Sequence, residues 1–184
     1  PALEVFTGER DRGTLVPLLS TPVAPAEVVV AKGLTVYASA ILSLSSHWVS
    51  IGILALVIPA HRSGFSVSSI PLATLMPLIL SAAATLTAMA LSAIVLARRK
   101  EEGQGILTFL LFLTMAPVLF SSVSDMKLTL APLFVPLMNT SLLIKESLRE
   151  PLFGWHVLTA MAVNFAAAGC LAAFAIHLFS REAV

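Results

Sequence analysis

The chain has 184 residues, 58% of them hydrophobic and 11% charged, with a formal net charge of +1, and its mean hydropathy is +0.96. No soluble core needs that much apolar surface, so the composition excludes a soluble globular domain and predicts an all-helical, multi-pass bundle in a lipid bilayer. Charges gather between the apolar runs and form no basic patch for nucleic acid. The single Cys170, inside an apolar run, supplies neither a disulfide framework nor a thiol metal motif.

Residues Pro1 to Thr7 are too short to read alone. With no signal peptide in view, they are expected to be the cytoplasmic tail of an earlier span that is missing here. The stretch Gly8 to Gly33, GERDRGTLVPLLSTPVAPAEVVVAKG, organises the rest of the chain. Glu9, Arg10, Asp11 and Arg12 alternate in sign, which suits pairing with a charged protein surface better than attraction to phosphate. Gly13 and Thr14 open a short helix that Thr14 caps, and Pro17 falls in its first turn, where a missing N–H breaks no bond. Ser20, Thr21 and Pro22 stop it after about two turns, and Pro25 with Glu27 starts a second helix that runs into the bilayer. By spacing alone this is an amphipathic interfacial helix with solvated charges. A capped helix pinned by a Pro-rich elbow to a spanning helix is also, mechanically, a lever.

Pro25 to Ile58 can form one helix of about 50 Å, longer than a hydrocarbon core of about 30 Å. Its first turns are therefore expected outside, with Lys32 at the headgroup boundary and a division into a cytoplasmic segment, 1–32, and a transmembrane domain, 33–184. Pro59 to Ser69 reads as a turn. A second span runs from Ile70 to Ala97, interrupted early by Pro77, with Ser81, Thr85 and Ala88 spaced to let helices approach closely. Arg98 to Gln104 is read as a second cytoplasmic loop, and Ile106 to Val123 as a third span kinked at Pro117. Leu128 to Ile144 is only about the minimum spanning length of 17 residues and carries Pro132, Pro136 and Asn139, so it is expected to be re-entrant or interfacial. Trp155 and His156 mark an interface before the last span, Val157 to Phe179. With the first stretch inside, Arg10, Arg12, Lys32, Arg98, Arg99, Lys100 and Arg181 lie inside, and Arg62, Lys127, Lys145 and Arg149 outside. This is the usual bias for four spans with both ends in the cytoplasm.

Three stretches carry a family resemblance. The segment from Gly8 to Pro22 resembles the signature of ABC-2 type transporter permeases, specifically the sodium-exporting branch, with Val16 departing from the family's acidic residue. Lys100, Glu101 and Gln104 are similar to that branch's aromatic-Lys-Glu-Ala-Gln stretch, although Glu102 and Gly103 occupy the place of one small residue. PLMNTSLLIKESL resembles its Pro-x-x-Asn-x-x-Leu-Leu-x-Lys segment through Pro136, Asn139, Leu142, Leu143 and Lys145. The resemblance implies that Glu9, Arg10, Asp11, Arg12, Gly13, Thr14, Leu15 and Leu18 form the coupling helix against a separate ABC ATPase subunit. It further implies a second permease half, identical or related, around one pathway, a bacterial inner-membrane location, export of a substrate with Na⁺ as candidate, and outer-face short helices near Asn139.

The chain has no phosphate-binding loop, so ATP and Mg²⁺ are expected on the partner subunit and no cofactor or metal on this chain. No catalytic set is read. Glu101 and Glu102 resemble the paired glutamates of CAAX-type intramembrane proteases, but Gly103, Gln104 and Gly105 follow where that family needs Arg. The four histidines are too scattered for a zinc motif. His47, Asn139 and Asn164, polar groups inside apolar runs, are either candidate pathway residues or structural groups bonded to a neighbouring helix. Every Asp and Glu falls outside the expected spans, which argues against drive by an ion gradient. The alternatives to a permease are the intramembrane hydrolase and a nucleotide-independent channel or structural membrane protein.

Overall fold

A computed structural model describes residues 24–57, 72–97, 100–123, 130–147 and 154–182. The described residues form α1 (Pro25–Val57), α2 (Leu72–Leu96), α3 (Lys100–Val123), α4 (Leu130–Leu133), α5 (Met138–Ser147) and α6 (Gly154–Glu182), with no strand among them. Four of these, α1, α2, α3 and α6, are long and apolar enough to cross a membrane. The charged stretch from Glu9 to Leu18 lies outside the described residues.

The helix ends follow local chemistry. α1 starts where the sequence places it: the Ala24 carbonyl accepts the Glu27 N–H at 2.9 Å and the Val28 N–H at 3.4 Å. Pro25 takes the first position, where no donor is needed, and Glu27 sits in the positive first turn. α1 then runs through Lys32 and Gly33 without a break, and Lys32 is buried with Val28, Val29 and Val36 on one face. α2 continues helically through Pro77 and closes with an Ala97 N–H to Ile94 carbonyl bond of 3.0 Å. α3 continues through Pro117.

α3 also begins earlier than expected. Lys100, Glu101 and Gln104, read as a loop, belong to its first turns. Apolar periodicity starts only at Ile106, but Glu101 and Glu102 are favoured by the unpaired N–H groups of a helix N-terminus, so the charged residues extend the helix.

Two apolar clusters set the arrangement. At one end Val28 and Val29 of α1, Leu91, Ile94 and Val95 of α2, and Ala175 and Phe179 of α6 pack together, with Leu107 of α3 against them. At the other, Leu75 and Leu78 of α2 meet Leu133 of α4, Leu143 of α5, and Val157 and Ala160 of α6. The starts of α1 and α3 therefore share a level with the ends of α2 and α6, and α2 and α6 run parallel as the most extensive contact in the bundle. Small residues make that contact possible: Ser81, Ala82, Thr85, Ala88 and Ser92 are all buried. Gly33 serves the crossing of α1 over α2, since a Cβ there would stand 2.9 Å from Leu91 Cδ1.

Candidate functional site

Between the two apolar clusters lies a layer of buried polar side chains contributed by α2, α5 and α6. Asn164, in α6, is fully buried. Its Nδ2 donates to Thr140 Oγ1 at 3.0 Å and to Ser81 Oγ at 3.2 Å, and its Oδ1 accepts the Leu137 backbone N–H at 3.4 Å. Asn139, in α5, is equally buried. Its Nδ2 donates to the Leu133 carbonyl at 3.1 Å and the Ala160 carbonyl at 3.4 Å, and its Oδ1 accepts the Thr140 hydroxyl at 3.1 Å. The two asparagines are thus one Thr140 apart in a continuous chain of hydrogen bonds. Apolar surroundings make each bond costly to leave unmade, which is why every amide group here has a partner.

The layer exists because the helix is broken between α4 and α5. Phe134 and Val135 donate to carbonyls three residues back, at 3.2 Å each, tightening the end of α4. The Met138 N–H then bonds the Pro136 carbonyl at 2.8 Å across Leu137, whose φ is 67°. An i to i−2 bond around a positive φ is the strained form of the γ-turn, and a leucine held there costs of order 1 kcal/mol or more. Pro136 explains the break, having no N–H to continue the ladder. Asn164 supports the turn by taking the N–H that Leu137 cannot place in a helix. Beyond it the helical pattern resumes, with Asn139 N–H to Val135 carbonyl at 3.0 Å and Ser141 N–H to Leu137 carbonyl at 3.1 Å.

Two further hydroxyls stitch α2 to α6. Thr85 Oγ1 donates to the Asn164 backbone carbonyl at 2.9 Å, and Ser92 Oγ to the Leu171 carbonyl at 2.9 Å. An open apolar groove of about 300 Å³ adjoins the layer, between Ala82 and Leu86 of α2, Met115 and Val118 of α3, and Thr140 and Ile144 of α5.

The structure therefore joins Asn139 and Asn164 in one buried layer, away from solvent. His47 lies in α1 and Lys100 opens α3, but the side chains of both are outside the described ones. Glu101 and Gln104 are exposed at the start of α3, beside the equally exposed Glu102. Among the described residues no three His, Cys, Asp or Glu side chains come together to hold a metal ion. Trp155 and His156 stack their rings 3.7 Å apart at the start of α6. Sequence reasoning missed the partners Ser81 and Thr140 as polar ligands of Asn164, and it missed the left-handed turn at Leu137. The available signal was only that Ser81 and Thr85, four residues apart, place hydroxyls on one face of an apolar run. Comparison with known proteins finds no matching family model, no curated relative and no similar solved structure.

Proposed function

We propose that the chain is the membrane-spanning permease subunit of an ATP-driven ABC exporter in a bacterial inner membrane. The observation that carries the reading is the continuity between the charged stretch from Gly8 to Pro22, similar to an ABC-2 coupling helix, and α1, which begins at Pro25. Among the described side chains of α1 the buried ones lie in its first turns: Val28, Val29, Lys32, Gly33 and Val36 pack inward, whereas Leu42, Val49 and Ile53 are exposed. A push on the coupling stretch therefore acts first where α1 meets α2 and α6. In this reading a separate ATPase, holding ATP and Mg²⁺, docks on Glu9, Arg10, Asp11, Arg12, Gly13, Thr14, Leu15 and Leu18. Its nucleotide cycle rocks α1 against the α2–α6 pair, a rigid-body switch between inward-open and outward-open arrangements in a pair of permease halves.

Orientation follows from the charges. The end that gathers the start of α1, the end of α2, the start of α3 and the end of α6 also carries Lys32, Lys100 and Arg181, with Arg98 and Arg99 adjacent in sequence, so it is the cytoplasmic side. The broken α4–α5 segment then enters from the outer side, its left-handed Leu137 buried and the Leu137 N–H held by Asn164. By resemblance, Na⁺ is one candidate substrate.

The test is co-purification of the membrane-inserted protein with ABC ATPase subunits of the same cell, comparing wild type with the Arg10→Glu, Arg12→Glu double variant. The variant is expected to insert normally and to lose the ATPase. Wild type that retains no ATPase sinks the exporter reading.

A further inference from the structure

A second groove, of about 320 Å³, runs along the side of the bundle between α1 and α6, with α2 as its floor. It is open because the walls are small: Gly33 from α1, Ala84 and Ala88 from α2, and Ala168, Gly169 and Ala172 from α6. Along α6 it extends from Phe165 to Ile176, about 16 Å at 1.5 Å per residue, parallel to the helices and hence to lipid chains.

Its lining is apolar except for two hydroxyls. Tyr37 donates to the Leu80 carbonyl at 3.1 Å and is engaged. Thr87 is only 8% exposed; its hydroxyl bonds no described residue and its oxygen is not fully enclosed, so it opens on the groove it lines. Thr85 and Ser92, on the same helix, do bond carbonyls of α2 and α6. A hydroxyl left without a partner in apolar surroundings is costly, and no water is available at this depth to supply one. Thr87 stands nine residues before Leu96, the end of α2, or about 14 Å from that end.

We propose that this groove binds a single chain-like lipid that carries an acceptor oxygen along its length, with the Thr87 hydroxyl donating to that oxygen. The groove follows the helices for about 16 Å, which one extended chain can line from end to end, and a second protein segment is separated from it by the test below. A plain hydrocarbon chain would cover the apolar walls and leave Thr87 unsatisfied. An oxygen-bearing chain does both, and the recognition is independent of the transport reading.

The probe is a radiolabelled long-chain dialkyl ketone with its carbonyl near mid-chain, set against the alkane of equal length, in retention by the purified full chain in detergent. Wild type is expected to retain the ketone about five-fold over the alkane, the ratio one hydrogen bond supplies. Thr87→Val, nearly equal in volume, brings the ratio to about one while chain retention persists. Gly169→Phe fills the groove from a position where an added Cβ meets nothing within 4 Å, and abolishes retention of both. Equal retention of ketone and alkane by wild type overturns the proposal, as does undiminished retention by Gly169→Phe. An oligomer that Gly169→Phe splits with ketone retention unchanged also overturns it, in favour of a protein partner. Should Gly169→Phe fail to fold, the Thr87→Val ratio alone decides.

Discussion

α2 and α3 are both long, apolar and antiparallel neighbours, yet 67% of the most apolar stretch of α2 is buried inside the bundle and 6% of that of α3. Hydropathy does not separate them; side-chain size does. α2 presents Ser81, Ala82, Ala83, Thr85, Ala88, Ser92 and Ala93 to its neighbours, all buried. α3 turns Phe109, Leu111, Phe112, Leu113 and Phe120 outward, each more than half exposed. In a bilayer the lipid tails are as apolar as leucine, so helices associate through close backbone approach and hydrogen bonds, which small and hydroxylated residues allow and large ones prevent. The difference teaches that the centre of this bundle is defined by what its side chains lack in bulk.

The comparison breaks most severely at Asn164, the polar hub that α2 gains and α3 has no counterpart to. Asn164→Leu keeps the branched outline, in a bulkier side chain, but removes the acceptor for the Leu137 N–H and the donors to Ser81 and Thr140. A loss of about 2 kcal/mol is expected, three bonds at the modest value measured between helices in bilayers plus an unsupported left-handed turn. Unfolding in mixed detergent and SDS micelles, monitored by circular dichroism, checks it. A loss below about 0.5 kcal/mol would mean the layer is decoration, and that stability resides in the two apolar clusters alone.

Much of this arrangement was legible and some was not, for identifiable reasons. The start of α1 at Pro25 could be read because a first-position proline and Glu27 are local signals. The four long helices could be read because apolar run length is a property of the sequence itself. The extension of α3 back to Lys100 was hidden, since the charged residues that favour a helix N-terminus also look like a loop. The pairing of Asn139 with Asn164 joins residues on different helices, and nothing in either run names its partner. Leu137 was the least legible of all. A left-handed residue is normally announced by Gly or Asn, and here it is imposed by Pro136 before it and Asn164 across from it.

A second, smaller effect sharpens the role of size. Gly33→Leu, at the crossing of α1 over α2, would drive a side chain into Leu91 and is expected to cost about 1.5 kcal/mol by overpacking. Gly33→Ala should cost clearly less, because the atom it meets is the flexible end of Leu91. Gly169→Ala, on the open groove, should be near neutral. The same micelle unfolding experiment ranks the three, and equal effects at the two glycines would show that α1 does not depend on close approach.

The smallest effect belongs to α3. Phe109 is 68% exposed, so Phe109→Ala removes a large ring that lies mostly outside the bundle, and the change in stability should stay within about 0.5 kcal/mol. The row it belongs to makes the result informative. Phe112, Leu113 and Phe120 share its exposure, and large apolar side chains facing lipid cost nothing to trim, whereas the same side chains facing another protein would. A loss above about 1 kcal/mol, appearing only at high protein concentration and vanishing on dilution, would turn the outward face of α3 from a lipid surface into a subunit interface. Such a result would also revise the lesson of α2. Bulk would then exclude a helix from this chain's own centre while fitting it to a partner's, and the two helices would differ in which centre they serve.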